Sequence, residues 1–198
     1  TINQVFLNLQ IEADTIAAQR AAMGIDKDAI LLVYSGSIAG WQSFSLLGAF
    51  LEQIMKSHAK VVLYFLSSKT REVVQLMETY PGRVLQNQVP PEQVGRHLMI
   101  CDYGLLIRER NTTNEVASPV KFAEYLAAGL NVIISDGIGD YPEFVKTHGC
   151  GYVLDHQAVD LCNTGLEARL RNRRLALEHF TKEKYIEQYT KIAGSTVS

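Results

Sequence analysis

The chain has 198 residues, 47% of them hydrophobic and 20% charged, and its 19 Lys and Arg against 21 Asp and Glu give a formal net charge of −2. That balance, with no basic run, leaves no electrostatic footprint for nucleic acid. Polar residues or glycine break every apolar run short of the roughly 20 residues that span a bilayer.

The length is that of one ordinary domain, residues 1–198, able to bury a core without disulfide or metal staples. Cys101, Cys150 and Cys162 form no CxxC pair and leave one over in any disulfide scheme, so reduced thiols and a cytoplasmic setting are expected. The first 14 residues have no basic n-region and no small-residue cleavage site, so they do not read as a signal peptide. Because the chain opens on Thr1, it is expected to be a piece of a longer protein.

In chain order, residues 1–28 read as an N-terminal helix and linker, with one helix over 11–24 and Gly24 in the position of its C-cap. Short β-rich apolar runs follow at 30–34, 61–66, 84–85, 103–107, 132–134 and 152–154. Runs such as ILLVY, VVLYF and GLLI do not alternate with polar residues, as expected of parallel strands buried on both faces. Between them lie helical stretches at 42–56, 69–79, 91–98, 119–128 and 142–147. In the first, Phe44, Leu47, Phe50, Leu51 and Ile54 fall on one face. The repeat predicts right-handed βαβ crossovers and a doubly wound, Rossmann-like α/β sheet. Residues 159–198 read as a C-terminal tail, helical over 159–193, whose Arg169, Arg171, Arg173 and Arg174 are expected to form a solvated face.

In such a sheet, ligands bind beyond the carboxyl ends of the strands, near the switch in strand order. Two loops belong there. The first, Ser35-Gly36-Ser37-Ile38-Ala39-Gly40-Trp41-Gln42, lets backbone amides approach an anion closely. It is neither the GxGxxG fingerprint, nor a Walker loop, nor a GxSxG elbow. The second, residues 108–118, is long and polar, as functional loops often are. It runs into a helix with Ser118 as N-cap and Pro119 at the first position. Lys121 then carries the wrong sign for that end of the helix dipole unless an anion is present. Lys121 and Glu124 share a stripe. The cation, the carboxylate and the helix start suit a phosphate beside a sugar hydroxyl, while the alternative is a plain intrahelical pair on an exposed face. The one DxD, Asp26-Lys27-Asp28, precedes the first strand, so no metal site is expected from it.

With these segments in view, residues 25–154 resemble the donor-binding, C-terminal half of the group-one retaining glycosyltransferases of GT-B architecture. The most specific stretch, Ser118-Pro119-Val120-Lys121-Phe122-Ala123-Glu124-Tyr125-Leu126-Ala127-Ala128-Gly129-Leu130-Asn131-Val132-Ile133, is similar to the family's SPxKxxEYLAxGxPVI segment, with Asn131 for the usual proline. Val89-Pro90-Pro91-Glu92 with Leu98 and Cys101-Asp102-Tyr103-Gly104-Leu105, Tyr34-Ser35-Gly36, and Gly149-Cys150-Gly151-Tyr152 resemble further family elements in the right order.

The resemblance implies transfer of a sugar from a nucleoside diphosphate to an acceptor, with the nucleotide sugar as substrate, no cofactor and no metal. It implies that Glu124, as the second acid of the family's E-x7-E element, binds the donor ribose. Val89 would touch the base through backbone atoms. Gly36, Ser37 and Gly40 would line the first loop. Arg108, Ser118, Pro119 and Lys121 would face the diphosphate or sugar. Lys121 and Glu124 would thus supply the donor side of catalysis. The implied partners are the donor and an N-terminal acceptor domain not found in this chain, without which the fragment is expected to be inactive. The whole protein would serve polysaccharide biosynthesis, with peripheral membrane association open to it.

Three positions depart from the pattern. Val116 stands where the first acid of E-x7-E belongs, and Ser37 and Gln42 where a phosphate-binding Arg and Lys belong. A non-catalytic nucleotide-sugar-binding module and a nucleotide-sugar epimerase of the same architecture are therefore the alternatives.

Overall fold

The structure, a computed structural model, describes residues 2–36, 44–108, 120–154, 159–182 and 184, the side chains of residues 44 and 45 excepted. Six parallel strands are described: β1 (Ile30–Ser35), β2 (Val61–Leu66), β3 (Val84–Asn87), β4 (Tyr103–Leu106), β5 (Asn131–Ser135) and β6 (Gly151–Leu154). Their order is β3-β2-β1-β4-β5-β6. The chain steps outward from β1 to β3, then returns to lay β4 beside β1. That return is the switch point.

The helices are α1 (Gln4–Leu7), α2 (Ala13–Ala22), α3 (Phe44–Ser57), α4 (Arg71–Thr79), α5 (Pro91–Met99), α6 (Val120–Ala127), α7 (Tyr141–His148) and α8 (Leu166–His179). The sheet has an apolar core on each face, because successive strand residues point to opposite sides. Leu31, Val33, Tyr64, Leu106, Val132 and Ile134 pack on one side with Phe122, Tyr125 and Leu126 of α6. Ile30, Leu32, Leu63, Phe65, Leu105 and Ile133 pack on the other with Leu47, Phe50, Leu51 and Ile54 of α3. Both sets are apolar, which is why the strand sequences do not alternate.

The first strand ends at Ser35 and the fifth spans Asn131–Ser135, each extending past its apolar run through polar residues that keep the ladder. Residues 11–24 give the shorter helix α2, with Gly24 left-handed at φ 69° just beyond its Met23 cap. The N-terminal segment is packed into the body, with Ile2, Phe6, Ile11 and Ile16 buried. Residues 161–165 are not helical, and α8 begins only at Leu166, after Gly165 at its N-cap.

The arginine cluster departs most from expectation. Arg169 is 3% exposed and Arg173 half-buried, whereas Arg171 and Arg174 are exposed as expected, Arg171 also bonding a neighbouring element. Arg169 Nη1 donates to Met99 O at 2.9 Å and Cys101 O at 2.7 Å, at the end of α5. Arg171 Nη2 donates to Gly149 O at 2.9 Å, the C-cap of α7. Arg173 donates to Ala127 O at 2.8 Å, Phe6 O at 2.9 Å and Leu7 O at 2.8 Å, the ends of α6 and α1. The crossover helices run against the strands, so their unpaired carbonyls crowd the amino edge of the sheet. Guanidinium forks on α8 satisfy them and answer the negative ends of the helix dipoles.

Asp102, fully buried just before β4, is the centre of that edge. Its Oδ1 accepts from Arg169 Nη2 and Thr164 N at 2.8 Å each. Its Oδ2 accepts from Arg20 Nη2 at 2.7 Å and Leu31 N at 2.9 Å. The Asp102 carbonyl receives the Asn131 amide at 3.0 Å. A proline at 131 has no N–H for that bond, and it could not offer the side-chain bonds of Asn131 to Thr164 at 3.1 Å and Asn172 at 2.9 Å.

Candidate functional site

Those expected site residues that are described, Gly36, Val89, Arg108, Lys121 and Glu124, belong to the opposite, carboxyl edge. Gly36 follows β1 with φ 144°, a conformation L side chains avoid, and its amide donates to Leu66 O at 3.2 Å. A Cβ there would meet nothing within 4 Å, so the glycine opens onto free space. That space is a cleft of about 290 Å³ lined by Gly36, Leu66, Ser67, Ser68, Gln88, Val89 and Val94. Gly36 and Val89, far apart in sequence, thus share one wall. Leu66, Ser67, Ser68 and Gln88 were not foreseen, although a Ser-Ser pair directly after β2 is the signal that could have found them.

Arg108 leaves β4 at the same edge, where Ser135 pins it from β5. The Ser135 hydroxyl accepts from Arg108 N at 2.9 Å and donates to Arg108 O at 2.7 Å. Burial holds the Tyr34 hydroxyl above its ordinary pKa, and the Arg108 guanidinium opposes this in part.

Helix α6 is buried almost all round, with Phe122, Ala123, Glu124, Tyr125, Leu126 and Ala127 all buried. Lys121 Nζ donates to Glu124 Oε2 at 2.7 Å. The pair does form, but not on an exposed face: Glu124 is 8% exposed. Tyr125 fixes where it stands. Its hydroxyl accepts from Ser35 N at 3.1 Å and donates to Leu105 O at 3.4 Å, bridging the ends of β1 and β4. Burial pushes that hydroxyl well above the ordinary tyrosine range, so it stays a neutral donor. Tyr125 thereby ties α6, which carries Lys121 and Glu124, to the ends of β1 and β4 at the switch point. The anchoring role of Tyr125 becomes visible once β1 and β4 are neighbours.

A second hollow of about 360 Å³ lies after β5, lined by Asp136, Gly137, Gly139, Asp140, Pro142, Glu143 and Lys146, none of them foreseen. Ser37, Gly40, Ser118 and Pro119 lie outside the described residues, as do Trp41, Gln42, Arg110, Glu115 and Val116. No group of three or more His, Cys, Asp and Glu that could hold a metal occurs among the described residues. Asp26-Lys27-Asp28 sits at the amino edge, where Asp26 Oδ1 accepts from Asp28 N at 2.8 Å.

No family profile matches the chain, and no curated protein matches it by sequence. Solved structures do match. The Anabaena HepE protein in complex with UDP and glucose superposes with a TM-score of 0.67 over 98% of this chain and 55% of its own, at 12% identity. A glycosyltransferase from Rickettsia africae gives 0.64 over 96% and 54%, at 12% identity. WaaG, a glycosyltransferase involved in lipopolysaccharide biosynthesis, gives 0.54 over 85% and 43%, at 18% identity.

The fold is that of a GT-B glycosyltransferase C-terminal domain.

The chain spans about half the length of these GT-B structures. At identities this low the likeness carries the fold and leaves the chemistry to the residues of this chain. No described helix is long and apolar enough to cross a membrane.

Proposed function

We propose that the chain is the donor half of a retaining glycosyltransferase and holds a nucleoside diphosphate sugar along the carboxyl edge of its sheet. The observation that carries this reading is the Lys121–Glu124 pair, buried on the carboxylate side and tied by Tyr125 to the ends of β1 and β4. The Lys121 ammonium stands at the start of α6 against the helix dipole, where one carboxylate meets it, and the switch point is where such sheets bind ligands.

In this reading the base enters the cleft between Gly36 and Val89, and the ribose hydroxyls bond to Glu124. Lys121, Arg108 and the amides that start α6 meet the diphosphate, with no metal invoked. Negative charge grows on the diphosphate oxygen as the glycosidic bond breaks through an oxocarbenium-like transition state. Preorganised cations and amides at that oxygen lower the barrier. Lys121 can serve because its present partner is one carboxylate oxygen at 2.7 Å, which a ribose hydroxyl can share. The UDP and glucose bound to the HepE protein support this choice of ligand class, and the lipopolysaccharide role of WaaG supports polysaccharide biosynthesis.

The test is a titration of the chain with UDP, GDP and ADP, followed by calorimetry and thermal shift. One of the three should bind, and at 100 times its dissociation constant it adds about 2.7 kcal/mol to stability. Failure of all three would overturn the reading. A second reading, a binding module without transfer chemistry, is favoured by Ser37, Gln42 and Val116, which replace two cations and an acid of the family pattern. Joined to an acceptor domain, a working donor half turns over its nucleotide sugar, whereas a module binds it and leaves it intact. Epimerisation of the sugar without an acceptor would mark the third reading.

A further inference from the structure

The amino edge of the sheet holds a cavity of about 310 Å³ between α2 and the start of α8, far from the donor loops. Its walls are apolar: Ala13, Ile16, Ala17 and Ala21 of α2, with Ile25 and the 40% exposed Leu166. Arg20, Lys27, Arg169 and Asp102 also line it. Arg20 and Arg169 are 7% and 3% exposed, so two guanidinium charges are buried around one carboxylate.

Asp102 cannot do more than it does. Each of its oxygens already accepts two hydrogen bonds, one from an arginine and one from a backbone amide. Arg20 spends one N–H on Ile100 O at 2.7 Å, one on Ala29 O at 3.3 Å and one on Asp102. Two of its five N–H groups are left by these bonds. The Ala29 bond is long, and Asn163 Nδ2 competes for the same oxygen at 2.7 Å. The two guanidinium charges thus outnumber the one carboxylate, with backbone carbonyls meeting the rest, and the lining keeps a net positive charge. Burial holds Arg169 below the ordinary arginine range, Asp102 opposes this and Arg20 adds to it. Exposed Lys27 brings a further cation to the rim.

We propose that this cavity binds a small monocarboxylate with an apolar body, its carboxylate set against Arg20 and Arg169 and its tail against α2. The volume stands at the low end for ligand pockets, about 300–1,000 Å³, so the occupant is small. A guanidinium fork matches the planar carboxylate. One buried charge in excess calls for a singly charged head, where a phosphate monoester would bring close to two.

The test uses the whole chain and three eight-carbon probes below their micellar range: octanoate, octanol and octyl phosphate. Octanoate should bind at least about tenfold more tightly than octanol, the factor expected of a charge-assisted hydrogen bond. Ala17→Phe, which fills the cavity from an exposed position, should abolish octanoate binding. Lys27→Glu should weaken octanoate and leave octanol unchanged, so the proposal stays testable if Ala17→Phe fails to fold. Octanol binding as tightly as octanoate would overturn the proposal, as would octyl phosphate binding more tightly. Octanoate binding that neither substitution alters, or no binding at all, would do the same.

Discussion

The ring of Tyr125 rests directly on Gly104: a Cβ built on that glycine would lie 2.3 Å from the ring. The glycine on β4 is thus what lets α6 descend far enough for the Tyr125 hydroxyl to reach Ser35 N and Leu105 O. Gly104→Ala should force the ring off its seat and cost about 1–3 kcal/mol, the range for overpacking a core. Urea unfolding checks this. In a Tyr125→Val background the same substitution should cost far less, because the two positions are coupled through contact.

At the donor edge the two halves of the Lys121–Glu124 pair have separable jobs. Lys121→Ala should weaken the nucleotide that binds and inorganic pyrophosphate alike, by about tenfold, the worth of a charged hydrogen bond. Glu124→Gln should weaken the nucleotide but not pyrophosphate, since its partner there is ribose. Calorimetry with both ligands reads the difference. Equal losses on pyrophosphate would assign Glu124 to placing Lys121 instead.

Asp102→Asn should be among the most damaging single substitutions. It removes the one negative charge between Arg20 and Arg169, at 2.7 and 2.8 Å, and leaves two cations buried together. The expected loss is about 3–5 kcal/mol, as for other broken buried pairs. Chemical denaturation measures it.

Asn131→Pro restores the residue usual in the resembling family, yet it should destabilise this chain. It deletes the amide bond to Asp102 O and the side-chain bonds to Thr164 and Asn172. Loss of a hydrogen bond that leaves a buried group unsatisfied costs about 1–3 kcal/mol. A lowered urea midpoint with an unchanged slope is the expected result.

Tyr64 and His97 set a pH window. The Tyr64 hydroxyl lies 2.6 Å from His97 Nδ1. Burial lowers the His97 ionisation, so below about pH 6.5 the unfolded chain takes up the proton first and stability falls with pH. Burial pushes Tyr64 up to about 12, so above about pH 10 the unfolded tyrosine ionises first and stability falls again. His97→Gln should flatten the acid limb and leave the alkaline limb in place. Unfolding midpoints followed across both limbs test the assignment.

The strand runs were legible because burial on both faces leaves uninterrupted apolar residues, as in Leu31–Val33 of β1, all 0% exposed. Their polar ends were not, since Asn131 and Ser135 are extended by ladder bonds that composition does not report. The pairing of Lys121 with Glu124 followed from helical spacing, and the burial of Glu124 did not, because it depends on elements packed from elsewhere in the chain. The role of Arg169 and Arg173 was hidden for the same reason. An arginine run on a helix looks alike whether it faces water or carbonyls, and only the convergence of helix ends at one edge distinguishes them.

Those arginines also order events during synthesis. The carbonyls at Leu7, Met99, Ala127 and Gly149 have no partner from α8 until residues 166–173 have emerged from the ribosome. The nascent sheet must wait with its lower rim open, and α8, arriving after α1, α5, α6 and α7, acts as the clasp that fastens all four at once.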